Sequence, residues 1–274
     1  MDAVARRRLP YLYLRAQRPR GLGRRRARCN GAAGGLLISS SASASQLISI
    51  IVPVFNESAT VASVIERLLT IDLPAAREII VVNDGSSDGT HSVLETLQGT
   101  PLLRIVHAEH NRGKGHAIRL GLAAATGDVI AIQDADLELD PAQLASLVAP
   151  ILEGTTDVVY GSRFLTRTKG TPVLTLLANR ALTALTNLLY GSSITDMETC
   201  YKIMRTSVAR GLGLTADRFD IEPEITARLL NRGHTIIERP VTFTPRSRAA
   251  GKKIGWSDGV TAIRVLVRHR WSRE

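Results

Sequence analysis

The chain has 274 residues, enough for one large α/β domain or two small ones, and its 44% apolar content is that of a globular protein. The formal charge of +10 points at first to nucleic acid. Residues 1–46 hold ten arginines against the single acid Asp2, however, so the rest is close to neutral and a nucleic-acid partner loses its main support. Two cysteines, Cys29 and Cys200, exclude a disulfide framework and a cysteine metal cluster, which fits a reducing compartment.

Residues 1–46, rich in Arg, Ala, Gly and Ser, read as a disordered arm, a targeting peptide or a start codon assigned too early; the sequence leaves this open. From residue 47 the pattern is regular. Leu47–Val54 is a continuous apolar, β-branched run, the mark of a strand buried on both faces. Glu57–Thr70 shows helical periodicity through Val61, Val64, Ile65, Leu68 and Leu69. A strand at Glu78–Val82 precedes a helix over Asp88–Leu97, with Asp88 as its N-cap. Leu102–His107 is a third strand, Lys114–Ala125 a third helix, and Asp128–Gln133 a fourth strand closed by an acidic loop. Asp140-Pro141 then fills the N-cap and first turn of another helix. This alternation with short connections predicts an α/β fold with a mainly parallel central sheet and helices on both faces.

Asp157–Tyr160 is a further strand, after which the alternation breaks down. The expected elements there are an amphipathic helix over Val173–Tyr190, a strand at Tyr201–Met204 and a helix over Glu222–Asn231. Strands near Thr235–Glu238 and Val241–Thr244 and a helix over Ser257–Arg270 follow. No window reaches the ~20 apolar residues that a bilayer span needs. In 173–190, Thr175, Asn179, Thr183, Thr186 and Asn187 fall three or four apart and line one helix face. That helix and the basic segment from Arg264 to Trp271 either touch a membrane surface or pack on the domain. The expected location is cytoplasmic, with peripheral contact to the inner face of a membrane.

Gln133-Asp134-Ala135-Asp136-Leu137-Glu138 is the most informative stretch. An extended chain leaving the fourth strand would project Asp134, Asp136 and Glu138 to one side, where three carboxylates repel one another unless a cation lies between them. Oxygen ligands suit Mg²⁺ or Mn²⁺, which also bind diphosphate oxygens and offset charge on a departing nucleoside diphosphate. Pro53-Val54-Phe55-Asn56-Glu57 stands where a dinucleotide fold or a P-loop needs a glycine-rich turn, so metal and side chains must hold the phosphates. Asp84 is placed to accept hydrogen bonds from a ribose or base, or else to open an Asx-turn. Asn111-Arg112-Gly113-Lys114-Gly115 brings donors and cations to a helix N-terminus. His107, His110 and His116 do not match zinc spacing and read as bystanders.

Taken in order, Pro53–Glu57, Asn83–Thr90, Asn111–Gly115 and the Asp134/Asp136 pair resemble the family 2 glycosyltransferases of the GT-A fold. Gly161-Ser162-Arg163, the run Asp196–Lys202, Phe219–Glu222, and Pro245-Arg246 with Gly251-Lys252-Lys253 are similar to the dolichyl- and polyprenyl-phosphate mannose and glucose synthases within that family. The resemblance covers residues 47–255, with a nucleotide-binding half at 47–160, an acceptor half at 161–255, and a basic helix at 256–274 beyond it. It implies inverting transfer of a hexose from a UDP-glucose or GDP-mannose type donor to a polyprenyl or dolichyl phosphate, or alternatively to a sugar or other hydroxyl in glycan synthesis. It also implies roles. Asp134, Asp136 and Glu138 would hold Mg²⁺ or Mn²⁺, although Glu138 stands where such synthases often carry Gln. Pro53, Asn56, Glu57, Asp84, Lys114, Gln133 and Asp134 would contact the donor, and Asp136, Arg163 and Glu222 would be catalytic. Arg163, Arg180, Asp196, Lys252 and Lys253 would serve acceptor or phosphate, with Arg246 and Arg248 as weaker choices.

Two departures stand out: many relatives continue into C-terminal transmembrane helices, and the Arg-rich tail has no counterpart in the pattern. Nucleotidyl transfer would also use a metal and a nucleotide, but Phe55-Asn56-Glu57 replaces its glycine-rich loop. A non-catalytic binding module is opposed by the intact Asp134 and Asp136.

Overall fold

A computed structural model describes residues 46–166, 170–246 and 256–272. Seven strands form one sheet: β1 (Leu47–Val54), β2 (Ala76–Asn83), β3 (Leu103–His107), β4 (Val129–Ile132), β5 (Val158–Ser162), β6 (Lys202–Arg205) and β7 (Ile237–Pro240). Their order across the sheet is β3-β2-β1-β4-β6-β5-β7. Among the described residues, eight α-helices connect or cover them: α1 (Val61–Thr70), α2 (Thr90–Thr96), α3 (Lys114–Ala124), α4 (Leu144–Leu152), α5 (Val173–Tyr190), α6 (Thr206–Gly211), α7 (Ile221–Asn231) and α8 (Trp256–Trp271).

β1, β2 and β4 are buried at consecutive positions, so both faces of the sheet are covered, as their unbroken apolar runs predict. α1 buries Val61, Val64, Ile65 and Leu68, the i, i+3, i+4, i+7 stripe. Each such side chain contributes about 1.5–3 kcal/mol by leaving water.

Strand direction is what builds the site. β1 runs parallel to β2 and β4, and β2 parallel to β3. β6 is antiparallel to both its neighbours, β4 and β5, so β5 points the same way as β4, and β7 is parallel to β5. The carboxyl ends of β1, β2, β4, β5 and β7 and the amino end of β6 therefore meet at one edge. The chain also reverses its direction of winding between β1 and β4, the crevice where open α/β sheets receive ligands.

Several expectations shift. α1 starts at Val61 rather than Glu57; Glu57 closes a turn instead, its carbonyl accepting from the Thr60 and Val61 amides. α2 starts at Thr90, and Asp88 caps it from one position outside the N-cap, accepting from the Thr90 amide at 2.9 Å. Val241–Thr244 is not a strand: only a single bridge joins Leu139 to Phe243.

α5 partly reverses the usual amphipathic logic, although Leu182, Leu185 and Leu189 still pack inward. Its polar stripe faces inward, with Thr183 and Thr186 buried, while Val173, Leu174, Leu177 and Leu188 are 56–81% exposed. Loop backbone explains the reversal. The Met197 amide donates to Thr183 Oγ1, and Asn187 exchanges hydrogen bonds with both the amide and the carbonyl of Ile194. α8 packs against α5 and α7 and buries Ala262 and Leu266. Its other face leaves Val260, Ile263, Val267 and Trp271 exposed beside Arg264, Arg268 and Arg270.

Candidate active site

The converging loops enclose a cavity of about 510 Å³. Its walls include Pro53, Glu57, Asp84, Lys114, Asp134, Asp136, Glu138, Arg163 and Glu222, residues drawn from both halves of the chain. Asn56, Gln133, Arg180 and Asp196 do not line it, and Lys252, Lys253 and Arg248 lie outside the described residues.

The ends of β1 and β2 are laced together. Asn56 sits in the left-handed region at φ 53° and accepts from the Ser87 amide at 2.8 Å, while its own amide donates to Ser86 Oγ. Asp84 is buried, and its carboxylate is already engaged by protein. One oxygen accepts from Asn111 Nδ2 at 3.0 Å and from the amides of Arg112 at 3.0 Å and Gly113 at 2.6 Å. The other pairs with His116 Nδ1 at 3.0 Å. Gly113 reaches this geometry at φ 116°, and a Cβ there would meet the Asp217 carbonyl oxygen at 2.6 Å. Asp84 thus pins the loop that opens α3, and His116, a bystander by spacing, is its partner.

The acidic loop does not leave β4 extended. It turns at Ala135–Asp136, and Leu137 adopts φ 61°, so the acids reach the cavity through a turn and not by strand alternation. Gln133 braces this turn from below, donating to the Asp134 and Leu139 carbonyls and accepting from the Tyr201 hydroxyl at 2.7 Å.

Asp134 heads a buried chain of alternating charge. Lys114 Nζ lies 2.8 Å from both Asp134 and Glu222, and Lys202 Nζ holds the other Glu222 oxygen at 2.5 Å. Burial alone would lower the Lys114 pKa, but Asp134, with Cys200 and Glu222 adding, raises it well above the usual lysine value. Glu222, expected to be catalytic, lines the cavity and bridges the two lysines.

Asp136 has the opposite problem. Burial, then Asp134 and Glu138, push its pKa up to about 7. Its partner is Arg246, 3.1 Å away, which also clasps Glu57 at 3.0 Å and donates its backbone amide to Glu138 at 2.8 Å. The three loop acids do not bring one oxygen each within 4.8 Å of one another, so they form no all-protein cage. They fit a hard cation that takes one or two carboxylates and completes its shell with substrate phosphate.

The far wall is built on Arg163. Its guanidinium makes two 2.7 Å hydrogen bonds to fully buried Asp196, whose oxygen also accepts the Arg163 amide. Burial works against the charge, but Asp196 outweighs it and raises the Arg163 pKa. Phe243 stacks 5.3 Å from this guanidinium. Arg180 points elsewhere, over the Phe164 ring on the outer side of α5.

Outside the cavity, among the described residues, His91, Glu95 and His107 bring ligand-type atoms within 4.8 Å of one another. His107 Nδ1 faces the Asn83 Nδ2 amide at 3.2 Å, and Asn83 Oδ1 is held by the Ser86 amide. That arrangement keeps the His107 proton on Nε2, the nitrogen a shared cation would need.

The model for glycosyl transferase family 2 matches residues 49–213, most of the described sheet and its site loops. The chain belongs to glycosyl transferase family 2. Family members similar to it include the dodecaprenyl-phosphate galacturonate synthase of Rhizobium johnstonii, 28% identical over 75% of this chain and 61% of that protein. The dolichol-phosphate mannosyltransferase of Pyrococcus furiosus is 27% identical over 76% of this chain and 59% of its own length. This chain thus spans about 60% of the length of those two relatives. The undecaprenyl-phosphate mannosyltransferase of Micrococcus luteus is 28% identical over 81% of this chain and 92% of its own. In fold, the chain is similar to Mycobacterium tuberculosis glucosyl-3-phosphoglycerate synthase, solved with Mn²⁺, UDP-glucose and phosphoglyceric acid. The TM-score is 0.65 at 22% identity, covering 84% of this chain and 81% of that one. Among the described residues no helix is long and apolar enough to cross a membrane.

Proposed function

We propose that this family 2 glycosyltransferase moves a hexose from a nucleotide sugar to a polyprenyl phosphate at a lipid surface. The observation that carries the proposal is a single cavity walled by Asp134, Asp136 and Glu138 on one side and the Asp196-held Arg163 on the other. Acids there suit a cation shared with a diphosphate, and a preset guanidinium suits a phosphate. The names of three relatives carry dodecaprenyl, dolichol or undecaprenyl phosphate, which supports the acceptor class.

Asp136, with Asp134 and Glu138 beside it, would hold Mg²⁺ or Mn²⁺, whose Lewis acidity offsets the charge of the departing nucleoside diphosphate. Arg246 holds this acidic pocket together until positive charge arrives with the donor. Asp84 keeps the Asn111–Gly113 loop against the nucleotide side. Arg163 aligns the acceptor phosphate, an anion already nucleophilic near neutral pH, so position does the work that a base does elsewhere. The C1–oxygen bond to the nucleoside diphosphate breaks as the phosphate oxygen bonds to C1, in one inverting displacement.

The outward apolar stripe of α5 and the apolar and arginine-bearing face of α8 support docking on an anionic lipid surface. A second acceptor class, a sugar hydroxyl, draws support from Glu198, a cavity carboxyl with no hydrogen-bond partner on Oε1. Parallel assays with a polyprenyl phosphate and the matching free polyprenol test the proposal. Product from the phosphate alone is expected; product from the alcohol, with none from the phosphate, would overturn it.

A further inference from the structure

The Glu198 carboxyl lies in the loop between α5 and β6 and faces the cavity. Its Oε1 is closed off from solvent and has no hydrogen-bond partner. Around it, Glu57, Asp84, Asp134, Asp136, Glu138 and Glu222 each hold a cation or an amide. The cations that face it are committed elsewhere. Arg163, following β5, is paired with Asp196 of the same loop as Glu198. Lys202 of β6 is spent on Glu222 of α7 and on the carbonyls of Met197 and Thr199. Lys114 and Arg246, both paired with acids, and Arg218 with Asp258 of α8 complete the charged lining.

We propose that Glu198 binds the acceptor phosphate as a neutral acid, donating a hydrogen bond from its carboxyl to a phosphate oxygen, so that acceptor capture requires one proton on this side chain. The inference rests on the lipid-phosphate acceptor proposed above. A phosphate dianion and an ionised carboxylate side by side in a cavity repel each other, and one shared proton turns the repulsion into a hydrogen bond. Burial favours the protonated form and pushes the Glu198 pKa up to about 7, with Lys202 opposing and Glu222 reinforcing. A phosphate dianion arriving beside the carboxyl acts in the same direction as burial, so the proton stays on Glu198. The competing role, an ionised base that removes a hydroxyl proton, requires the opposite charge state.

Glu198→Gln separates the two, because glutamine donates a hydrogen bond at every pH and accepts no proton. Transfer to a short-chain polyprenyl monophosphate in detergent would be followed from pH 6 to 8.5. The wild-type KM for the acceptor should climb about ten-fold per pH unit above 7 with kcat steady. The Gln variant should hold KM flat above pH 6.5, within about three-fold of the wild-type value at pH 6.5, and Glu198→Ala should raise KM at every pH. Calorimetry of acceptor binding at pH 8 adds a readout independent of turnover: close to one proton taken up by the wild type, and none by the Gln variant. A kcat loss of a hundred-fold or more in the Gln variant, or a KM slope identical to wild type, would overturn the proposal while leaving the acceptor class intact. A wild-type protein that neither binds nor glycosylates the lipid phosphate would bring down the acceptor class first, and this inference with it.

Discussion

The guanidinium of Arg246 lies 3.1 Å from the Asp136 carboxylate, although 110 residues separate them in sequence. The contact places a fixed positive charge against the acid whose pKa burial, Asp134 and Glu138 push up to about 7. Arg246 therefore competes with any divalent cation for the same oxygens. Arg246→Gln should tighten Mn²⁺ binding to the donor-free protein by about five-fold, the equivalent of about 1 kcal/mol for a part-exposed ion pair. Electron paramagnetic resonance of free Mn²⁺ during a titration reads this directly. An unchanged or weaker affinity would mean that the cation and Arg246 use different oxygens.

Arg163 owes its position to Asp196. Asp196 is fully buried and carries two side-chain bonds and one backbone bond from Arg163. Asp196→Ala should cost about 3–5 kcal/mol, because it leaves a charge uncompensated in the interior, and should lower Tm by roughly 10 °C. Asp196→Asn, which keeps the shape, should spare most of the stability and raise the acceptor KM by at least ten-fold. Thermal melts and acceptor titrations check both. Wild-type Tm and KM in these variants would show that Arg163 is positioned by something else.

The outward leucines of α5 are the third test. Leu177 and Leu188 are 56% and 81% exposed, so Leu177→Glu with Leu188→Glu should move Tm by only about 1 °C. Flotation with phosphatidylglycerol-containing vesicles should nevertheless fall at least ten-fold. Unaltered flotation would assign the face some other partner.

Much of this was legible in the sequence because it depends on local pattern. The unbroken β-branched runs at 47–54 and 129–132 announced doubly covered parallel strands, and Asp140-Pro141 announced a helix start, with Asp140 Oδ1 accepting from the Ala142 amide at 3.2 Å. The acid pair after β4 stood out because Asp140 already fills the cap of the next helix and leaves Asp134 and Asp136 over. What escaped depends on distance. Arg246 reaches Glu57 across 189 residues and Lys114 of α3 reaches Glu222 of α7, and no spacing rule encodes either contact. The α5 stripe was seen but its direction was not, because periodicity identifies two faces without saying which one meets the loop at 192–197. The expectation of an extended acidic loop failed at Leu137, where positive φ in a non-glycine residue leaves no local signal.

The most direct measurement is transfer of radiolabel from UDP-glucose and from GDP-mannose into a polyprenyl phosphate, with Mn²⁺ or Mg²⁺ and then with chelator. The account predicts label in the lipid phase from one donor, lost with chelator and lost again in Asp136→Ala. Label that remains in the lipid phase under chelation, or that goes only to water-soluble hydroxyl acceptors, would contradict it.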